Sequence, residues 1–225
     1  MTTKFEGLPR EMIAMCAARE LKDGDYVNLG IGIPTLIGDW IVGRDIFLQS
    51  EIGMMKTGPL AFGEDADQDL INASSQAVSE VPGSSYFDIV ESFSMIRGGF
   101  IDAVVLGALQ VSGHGDLAGW ANPERGMGAV GNIGGSMDLC VAARKLIVCM
   151  EHTTKSGDPK IVEHLTYPAT AACVVNKIFT DLAVIEITPQ GPVLREVYPG
   201  LTAADIQSVT GARLIIPKDL KDIEL

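Results

Sequence analysis

The chain has 225 residues, 47% of them hydrophobic, with 25 glycines and only 6% aromatics, enough for a full core of small and branched aliphatics joined by many tight turns. A formal net charge of −12, from 17 basic and 29 acidic residues, argues against a nucleic acid partner, which calls for the opposite sign. No stretch approaches the roughly 20 apolar residues of a membrane span, and residues 1–10 lack an apolar signal core.

Pro9 opens a helix to about Glu20, with Ile13, Met15, Cys16 and Leu21 as its apolar contacts, stopped by Lys22-Asp23-Gly24. A strand from Asp25 to Leu29 feeds the turn Gly30-Ile31-Gly32-Ile33-Pro34, and a second helix runs from Pro34 to Ile41. This strand, glycine turn and helix form the usual skeleton for an anion or cofactor contact. Arg44 to Ser50 reads as a strand with Glu51 just past its end, and residues 57–72 read as loop. Ser85 to Arg97 fits a helix ended by Gly98 and Gly99. Ile101 to Leu106 is a strand of the kind found in sheets covered on both faces.

Residues 111–135 are irregular and hold eight glycines, at 113, 115, 119, 126, 128, 131, 134 and 135. A loose loop and a backbone lining for a ligand both fit that pattern. A short helix over Met137 to Ala143 and a strand over Lys145 to Met150 follow, with Glu151 and His152 just beyond. Ala171 to Val175, Leu182 to Ile187 and Val193 to Val197 read as strands, the last returning beside the one before it. Thr202 with Asp205 signals a helix start before Ile206, and Leu214 to Ile216 reads as one more short strand. No repeat, low-complexity run or linker divides the chain, so a single α/β domain with a mixed sheet is expected over residues 1–225.

The four cysteines, Cys16, Cys140, Cys149 and Cys173, fit no zinc spacing and no close redox pair. They lie in apolar runs, so buried free thiols and a reducing, cytoplasmic compartment are expected. With only three histidines, at 114, 152 and 164, and no HExxH spacing, no metal centre is expected. His152 reads as a hydrogen-bonding residue at a strand end. The Gly30-x-Gly32 turn falls short of a dinucleotide fingerprint, no phosphate-loop sequence occurs, and Ser50 is not in a GxSxG elbow. Glu51 and Glu151 both follow strands, where open α/β sheets place their sites. For either one, a plain surface or capping carboxylate is the competing account. Gly53 and Gly58 leave Glu51 with little side-chain bulk around it, and a carboxylate there can act as a nucleophile if its surroundings dry out on binding.

Ser50-Glu51-Ile52-Gly53 resembles the Ser-Glu-Asn-Gly signature of the beta subunits of the 3-oxoacid CoA-transferase family. Further matches follow in order: Asn28-Leu29-Gly30-Ile31-Gly32-Ile33-Pro34, Asp69-Leu70-Ile71-Asn72-Ala73, Ser94-Met95-Ile96-Arg97-Gly98-Gly99, Gly134-Gly135-Ser136-Met137-Asp138-Leu139 and Met150-Glu151-His152-Thr153. Thr180-Asp181-Leu182-Ala183-Val184 and Leu194-Arg195-Glu196 extend the likeness over residues 5–215.

The resemblance implies a three-layer α/β/α CoA-transferase-like domain with a mixed, largely parallel sheet. It implies Glu51 as the nucleophile of a ping-pong reaction through a glutamyl-CoA thioester. Coenzyme A is then substrate and covalent intermediate, with no permanently bound cofactor. The implied substrates are an acyl-CoA, 3-oxoacyl or short or dicarboxylic such as succinyl-CoA, and a free carboxylic acid. The implied partner is a CoA-transferase alpha subunit, in an A2B2 heterotetramer. The backbone N–H groups of Gly134 and Gly135 are candidates for stabilising oxyanions. Gly30, Gly32, Ile52, Gly53, Met54 and Lys56 are candidates for the substrate pocket.

This chain departs from the family pattern at Ile52, where asparagine is usual, at Met54 to Pro59, and in extra sequence around 128–132. Lys56 has three open readings: facing solvent, pairing with a substrate carboxylate, or pairing with Glu51. Two other functions fit the same scaffold: an acyl-CoA or ring-cleaving hydrolase, and a non-catalytic structural partner.

Overall fold

The computed structural model describes residues 5–123 and 133–224. Its main strands are β1 (Tyr26–Leu29), β2 (Phe47–Ser50), β3 (Met54–Leu60), β4 (Val78–Tyr86), β5 (Ala103–Leu106), β8 (Lys145–Cys149), β10 (Lys177–Phe179), β11 (Ala183–Thr188), β12 (Gly191–Val197) and β13 (Lys221–Asp222). They form a ten-stranded mixed sheet in the order β13-β12-β11-β10-β8-β5-β1-β2-β3-β4. The run from β2 through β1, β5 and β8 to β10 is parallel. The meander β2-β3-β4 and the pairs β10-β11 and β11-β12 are antiparallel. A small second sheet, of β6 (Gln110–Ser112) between β7 (Leu117–Ala118) and β9 (Ile161–Val162), lies apart from it.

Alternation along the central strands makes three layers. Val104, Leu106, Leu146, Val148 and Ile178 face one core, packed under α3 (Ile89–Arg97), α4 (Ser136–Ala142) and α5 (Ala203–Ser208). Ala103, Val105, Ile147, Cys149 and Phe179 face the other, under α1 (Arg10–Ala18) and α2 (Ile37–Trp40). Successive side chains of a strand point to opposite faces, so continuous apolar runs are what a doubly covered sheet requires. Helix α1 buries Ile13, Ala14, Cys16 and Ala17 at helical spacing. It gives way to a turn in which Asp25 accepts from Lys22 N and Gly24 takes φ 93°. Helix α5 starts with a capping box of Thr202 and Asp205.

Several expectations are corrected. Residues 57–72 are not all loop, because β3 runs to Leu60. Strand β4 replaces the start of the expected helix, and α3 begins at Ile89, capped by Asp88, rather than at Ser85. Pro82 breaks the strand pattern in sequence, yet β4 is the edge strand, where a missing N–H costs no ladder bond. The second helix begins as a 3-10 turn over Ile33–Leu36 before α2.

Ala171 to Val175 is not a strand: one bridge joins Ala171 to Leu117, and the strand is β10, further on. Leu214 to Ile216 likewise reduces to a single bridge between Ile215 and Val193. The irregular segment contains β6 and β7, while Gly126, Gly128, Gly131 and the extra sequence at 128–132 lie outside the described residues. Cys16, Cys140 and Cys149 are buried free thiols, whereas Cys173 is exposed. Among the described residues, no helix is long and apolar enough to cross a membrane.

Candidate active site

Strand β1 lies between β2 and β5, so the chain turns outward in one direction, then returns to extend the sheet in the other. Ligands of open α/β sheets bind at the carboxyl ends of strands around such a point. The turn Gly30-Ile31-Gly32 leaves β1 there. Gly30 N–H donates to the Val105 carbonyl at 2.8 Å, and a Cβ on Gly30 would stand 2.8 Å from Leu106 Cδ2. Gly32 has φ 94° and precedes the 3-10 turn. Thr35 Oγ1 donates to the Gly30 carbonyl at 3.0 Å and so braces the turn.

Glu51 sits in the three-residue loop of the β2-β3 hairpin, since Ser50 pairs with Met54. Gly53 N–H donates to the Ser50 carbonyl at 3.1 Å, and Phe87 N–H donates to the Gly53 carbonyl at 3.0 Å. Gly53 has φ 133°, and a Cβ would lie 2.3 Å from the Phe87 carbonyl oxygen. Only glycine fits there, in conformation and in space. The loop carrying Glu51 is therefore clamped to the segment that enters α3.

The Glu51 carboxylate is half-buried, and its Oε2 accepts from Asn28 Nδ2 at 3.0 Å. Parallel pairing sets Asn28 beside Gln49. Asn28 Nδ2 also donates to the Gln49 carbonyl at 3.1 Å and to Gln49 Oε1 at 2.7 Å, and Gln49 Nε2 donates to Ser92 Oγ on α3 at 2.8 Å. Asn28 and Ser92 are fully buried, and Gln49 is 3% exposed. Among the described residues no cation pairs with Glu51. The site thus presents a half-buried carboxylate with one oxygen held by a neutral amide. Sequence reasoning missed Asn28, Gln49 and Ser92 as functional residues. The available signal was an amide in each of two apolar strands, which must find partners when buried.

The other candidates are placed differently. Ile52, at the hairpin tip, is 45% exposed, and Met54 is buried in the sheet. Lys56 has φ 60° at a bulge between Met55 and Thr57, and its Nζ lies 5.3 Å from the centre of the Phe47 ring. Phe47 opens β2 and Glu51 follows its far end, about 13 Å away at the rise of a strand. The Lys56 ammonium is therefore not brought to Glu51. A groove of about 300 Å³ runs beside β2, lined by Leu29, Ile41, Leu48, Leu60 and Val81, and by Ser50 and Lys56. Of the six pocket candidates only Lys56 lines it. Gly134 and Gly135 lead into α4, and a Cβ on Gly135 would stand 2.6 Å from the Phe93 ring of α3.

The second acidic candidate is absorbed by structure. Glu151 accepts from Arg10 Nε at 2.9 Å and lies 3.9 Å from Lys160 Nζ. Burial is the largest influence and opposes its ionisation, but the Arg10 hydrogen bond, a backbone hydrogen bond and the charges of Lys160 and Arg10 together outweigh it, and its pKa is lowered. His152 is fully buried between Thr180 Oγ1 and Thr210 Oγ1, each at 2.9 Å. Burial, reinforced by the Lys160 charge, brings its pKa down to about 4, so the ring is a neutral strut. No group of histidines, cysteines and carboxylates among the described residues is placed to hold a metal.

The profile of the coenzyme A transferase family matches residues 10–208. The beta-type subunit of the 3-oxoadipate CoA-transferase of Acinetobacter baylyi is 42% identical over 214 residues, 94% of this chain and 97% of that one. Its counterpart in the succinyl-CoA:3-ketoacid coenzyme A transferase of Helicobacter pylori is 42% identical over 203 residues, 90% of this chain and 97% of that one. In fold, the chain is similar to an acyl-CoA transferase from Escherichia coli O157:H7 solved as a thioester complex with CoA, with a TM-score of 0.77 at 21% identity. All of this chain is covered there, but only 44% of the longer E. coli chain.

Proposed function

This chain belongs to the coenzyme A transferase family, and from that premise we propose that it is a single-domain subunit that carries the nucleophile of a two-chain CoA-transferase. The observation that carries the reading is Glu51 itself. It stands on a braced hairpin at the carboxyl edge of the sheet, one oxygen held by Asn28 and no counter-ion among the described residues.

Glu51 attacks the thioester carbonyl of an acyl-CoA. The C–S bond breaks, CoA leaves as thiolate, and a mixed anhydride joins Glu51 to the acid. The thiolate then attacks the Glu51 carbonyl, releasing the first carboxylate and leaving a glutamyl-CoA thioester. An acceptor carboxylate takes the same steps in reverse and departs as its CoA ester. No proton is transferred at any stage, so the site needs no acid or base. An amide beside the nucleophile suits this chemistry better than a titrating group. Water must be kept out, because it would hydrolyse either intermediate. Ile31 in the turn after β1 and Ile52 beside Glu51 are 68% and 45% exposed, which fits closure by an alpha-type chain in an A2B2 assembly.

Oxyanions formed in these steps are stabilised by backbone N–H groups, with Gly134 and Gly135 as candidates. Related subunits at equal identity are named for different acids, 3-oxoadipate and a 3-ketoacid. The substrate class is accordingly a 3-oxoacyl or short dicarboxylic acyl-CoA such as succinyl-CoA.

The test is mass spectrometry of the co-expressed two-chain complex after incubation with succinyl-CoA and, separately, acetoacetyl-CoA. A CoA adduct on Glu51, absent in Glu51→Gln, and turnover that requires an acceptor acid support transfer. Acid release without an acceptor means a hydrolase. A Glu51→Gln complex that transfers CoA at full rate, after control for deamidation, rules the mechanism out. Loss of a carboxylate nucleophile should lower the rate at least ~1,000-fold.

A further inference from the structure

The hydrogen bonds behind Glu51 have only one consistent direction. The Gln49 backbone carbonyl and the Glu51 carboxylate can only accept, so the group of Asn28 that faces them is its NH2. Asn28 then also donates to the Gln49 side chain, which must turn its oxygen toward Asn28 and its nitrogen toward Ser92. Reversing either amide would set donor against donor or acceptor against acceptor in a dry interior. From this geometry we infer that Gln49 and Ser92 are positioning residues for the transfer reaction. Ser92 holds the Gln49 side chain in place, and Gln49 Oε1 in turn steadies the Asn28 amide that pins Glu51 Oε2 and leaves Oε1 free to attack.

Two further features support the inference. Strand β2 alternates, so Leu48 joins the α2-side core while Gln49 turns toward α3. A glutamine at this buried position is costly unless its amide is used. Helix α3 also meets the nucleophile's loop a second time, through the Phe87 N–H to Gly53 carbonyl bond just before its cap. Ser92 therefore reports the position of the helix that already braces the hairpin. A carboxylate that must alternate between free anion, anhydride and thioester gains from a support that carries no charge. A neutral relay does not compete with the reacting charges, and its donors need no rearrangement during the steps.

The inference rests on Glu51 being the nucleophile, and the experiment separates the two claims. In the two-chain complex, Ser92→Ala and Gln49→Met are made singly and together, and kcat, KM and the single-turnover rate of glutamyl-CoA formation are measured. Methionine keeps the volume of glutamine while removing both hydrogen bonds. Ser92→Ala should lower kcat about tenfold, the weight of one hydrogen bond, with KM unchanged.

Gln49→Met should lower kcat further, and the double variant should be no slower than Gln49→Met, because Ser92 acts only through Gln49. In single-turnover experiments the rate of glutamyl-CoA formation should fall by the same factor as kcat in both, because a less firmly held Glu51 attacks more slowly. A merely structural role predicts lower melting temperatures with no change in that rate. Wild-type kcat in a folded Ser92→Ala complex, or independent multiplying effects in the double variant, would overturn the relay while the Glu51 adduct still forms. Absence of that adduct in the wild type would remove both claims. If Gln49→Met does not fold, the Ser92→Ala kcat, KM and single-turnover rate decide the matter.

Discussion

Acid should weaken this protein well before its carboxylates titrate, and the cause is one histidine. His152 has no exposed surface, and its two ring nitrogens are taken up by Thr180 and Thr210. Burial and Lys160 bring its pKa from 6.5 to about 4. Above pH 6.5 the ring is neutral in both folded and unfolded chains. Between 6.5 and 4 the unfolded chain binds a proton that the folded chain refuses, so stability falls as pH falls. At 1.36 kcal/mol per pH unit, the loss is about 2 kcal/mol from pH 7 to 5 and about 3 kcal/mol by pH 4.

Burial opposes ionisation of Glu20, yet its hydrogen bonds to Lys145 and Lys177 outweigh that and lower its pKa. The stability this carboxylate contributes is lost only on passing below the ordinary value of 4.5. Burial raises the pKa of Asp181, which acts in the opposite sense as pH falls, so comparison with a His152 variant is what separates the histidine's share. Urea unfolding followed by circular dichroism at pH 7, 6 and 5 measures the slope, and His152→Gln should flatten it even if it is less stable overall. Equal unfolding free energies at pH 7 and 5, or an unchanged slope in the variant, would refute the reasoning. So would a His152 ring that titrates near 6.5 in the folded protein by NMR.

Gly53→Ala forces a Cβ to within 2.3 Å of a carbonyl oxygen at φ 133°. It should cost about 3 kcal/mol, lowering the melting temperature by roughly 10 °C, and reduce transfer activity through the displaced Glu51 loop. Thr202→Ala removes the side-chain cap of α5 and should cost about 1 kcal/mol in a denaturation assay, with no change in activity. Burial raises the pKa of Cys16, Cys140 and Cys149, that of Cys140 to about 12, whereas Cys173 is exposed. Iodoacetamide should therefore label only Cys173 in the native chain and all four thiols after denaturation, counted by intact mass.

What could be read in advance follows the range of the interactions concerned. Helix α1 and strands β5, β8, β11 and β12 are set by local sequence and were legible to within two residues at each end. Strands β3 and β4 were not. Their pairing shifts register between Met55 and Thr57 and again between Thr57 and Leu60, and Lys56 and Gly83 take positive φ. Bulges erase the two-residue alternation on which a strand is recognised. Strand β10 has only three residues and is defined by its neighbours β8 and β11. Glu51 and Glu151 stood out alike because each follows a strand, and the family resemblance chose Glu51 between them. The residues that hold it depend on Asn28 meeting Gln49 in parallel register and on α3 lying across them. Those are tertiary facts that no window of sequence contains.

The order in which these parts leave the ribosome gives the sheet topology a further consequence. Asn28, Gln49, Glu51 and Ser92 all precede β5 in the chain. The β2-β3 hairpin is a short-range pairing, the kind that forms early, and β4 joins it across residues 61–77. Yet β1, which supplies Asn28, is walled in on its far side by β5, and Gly30 hangs from the Val105 carbonyl of that later strand. A nascent chain ending at α3 would carry every side chain of the relay but lack the wall against which β1 is aligned. Such an intermediate exposes the unpaired edge of β1, the strand most open to mispairing during synthesis. Emergence of β5 is thus the step that both seals the edge and fixes the strand from which Asn28 reaches Glu51.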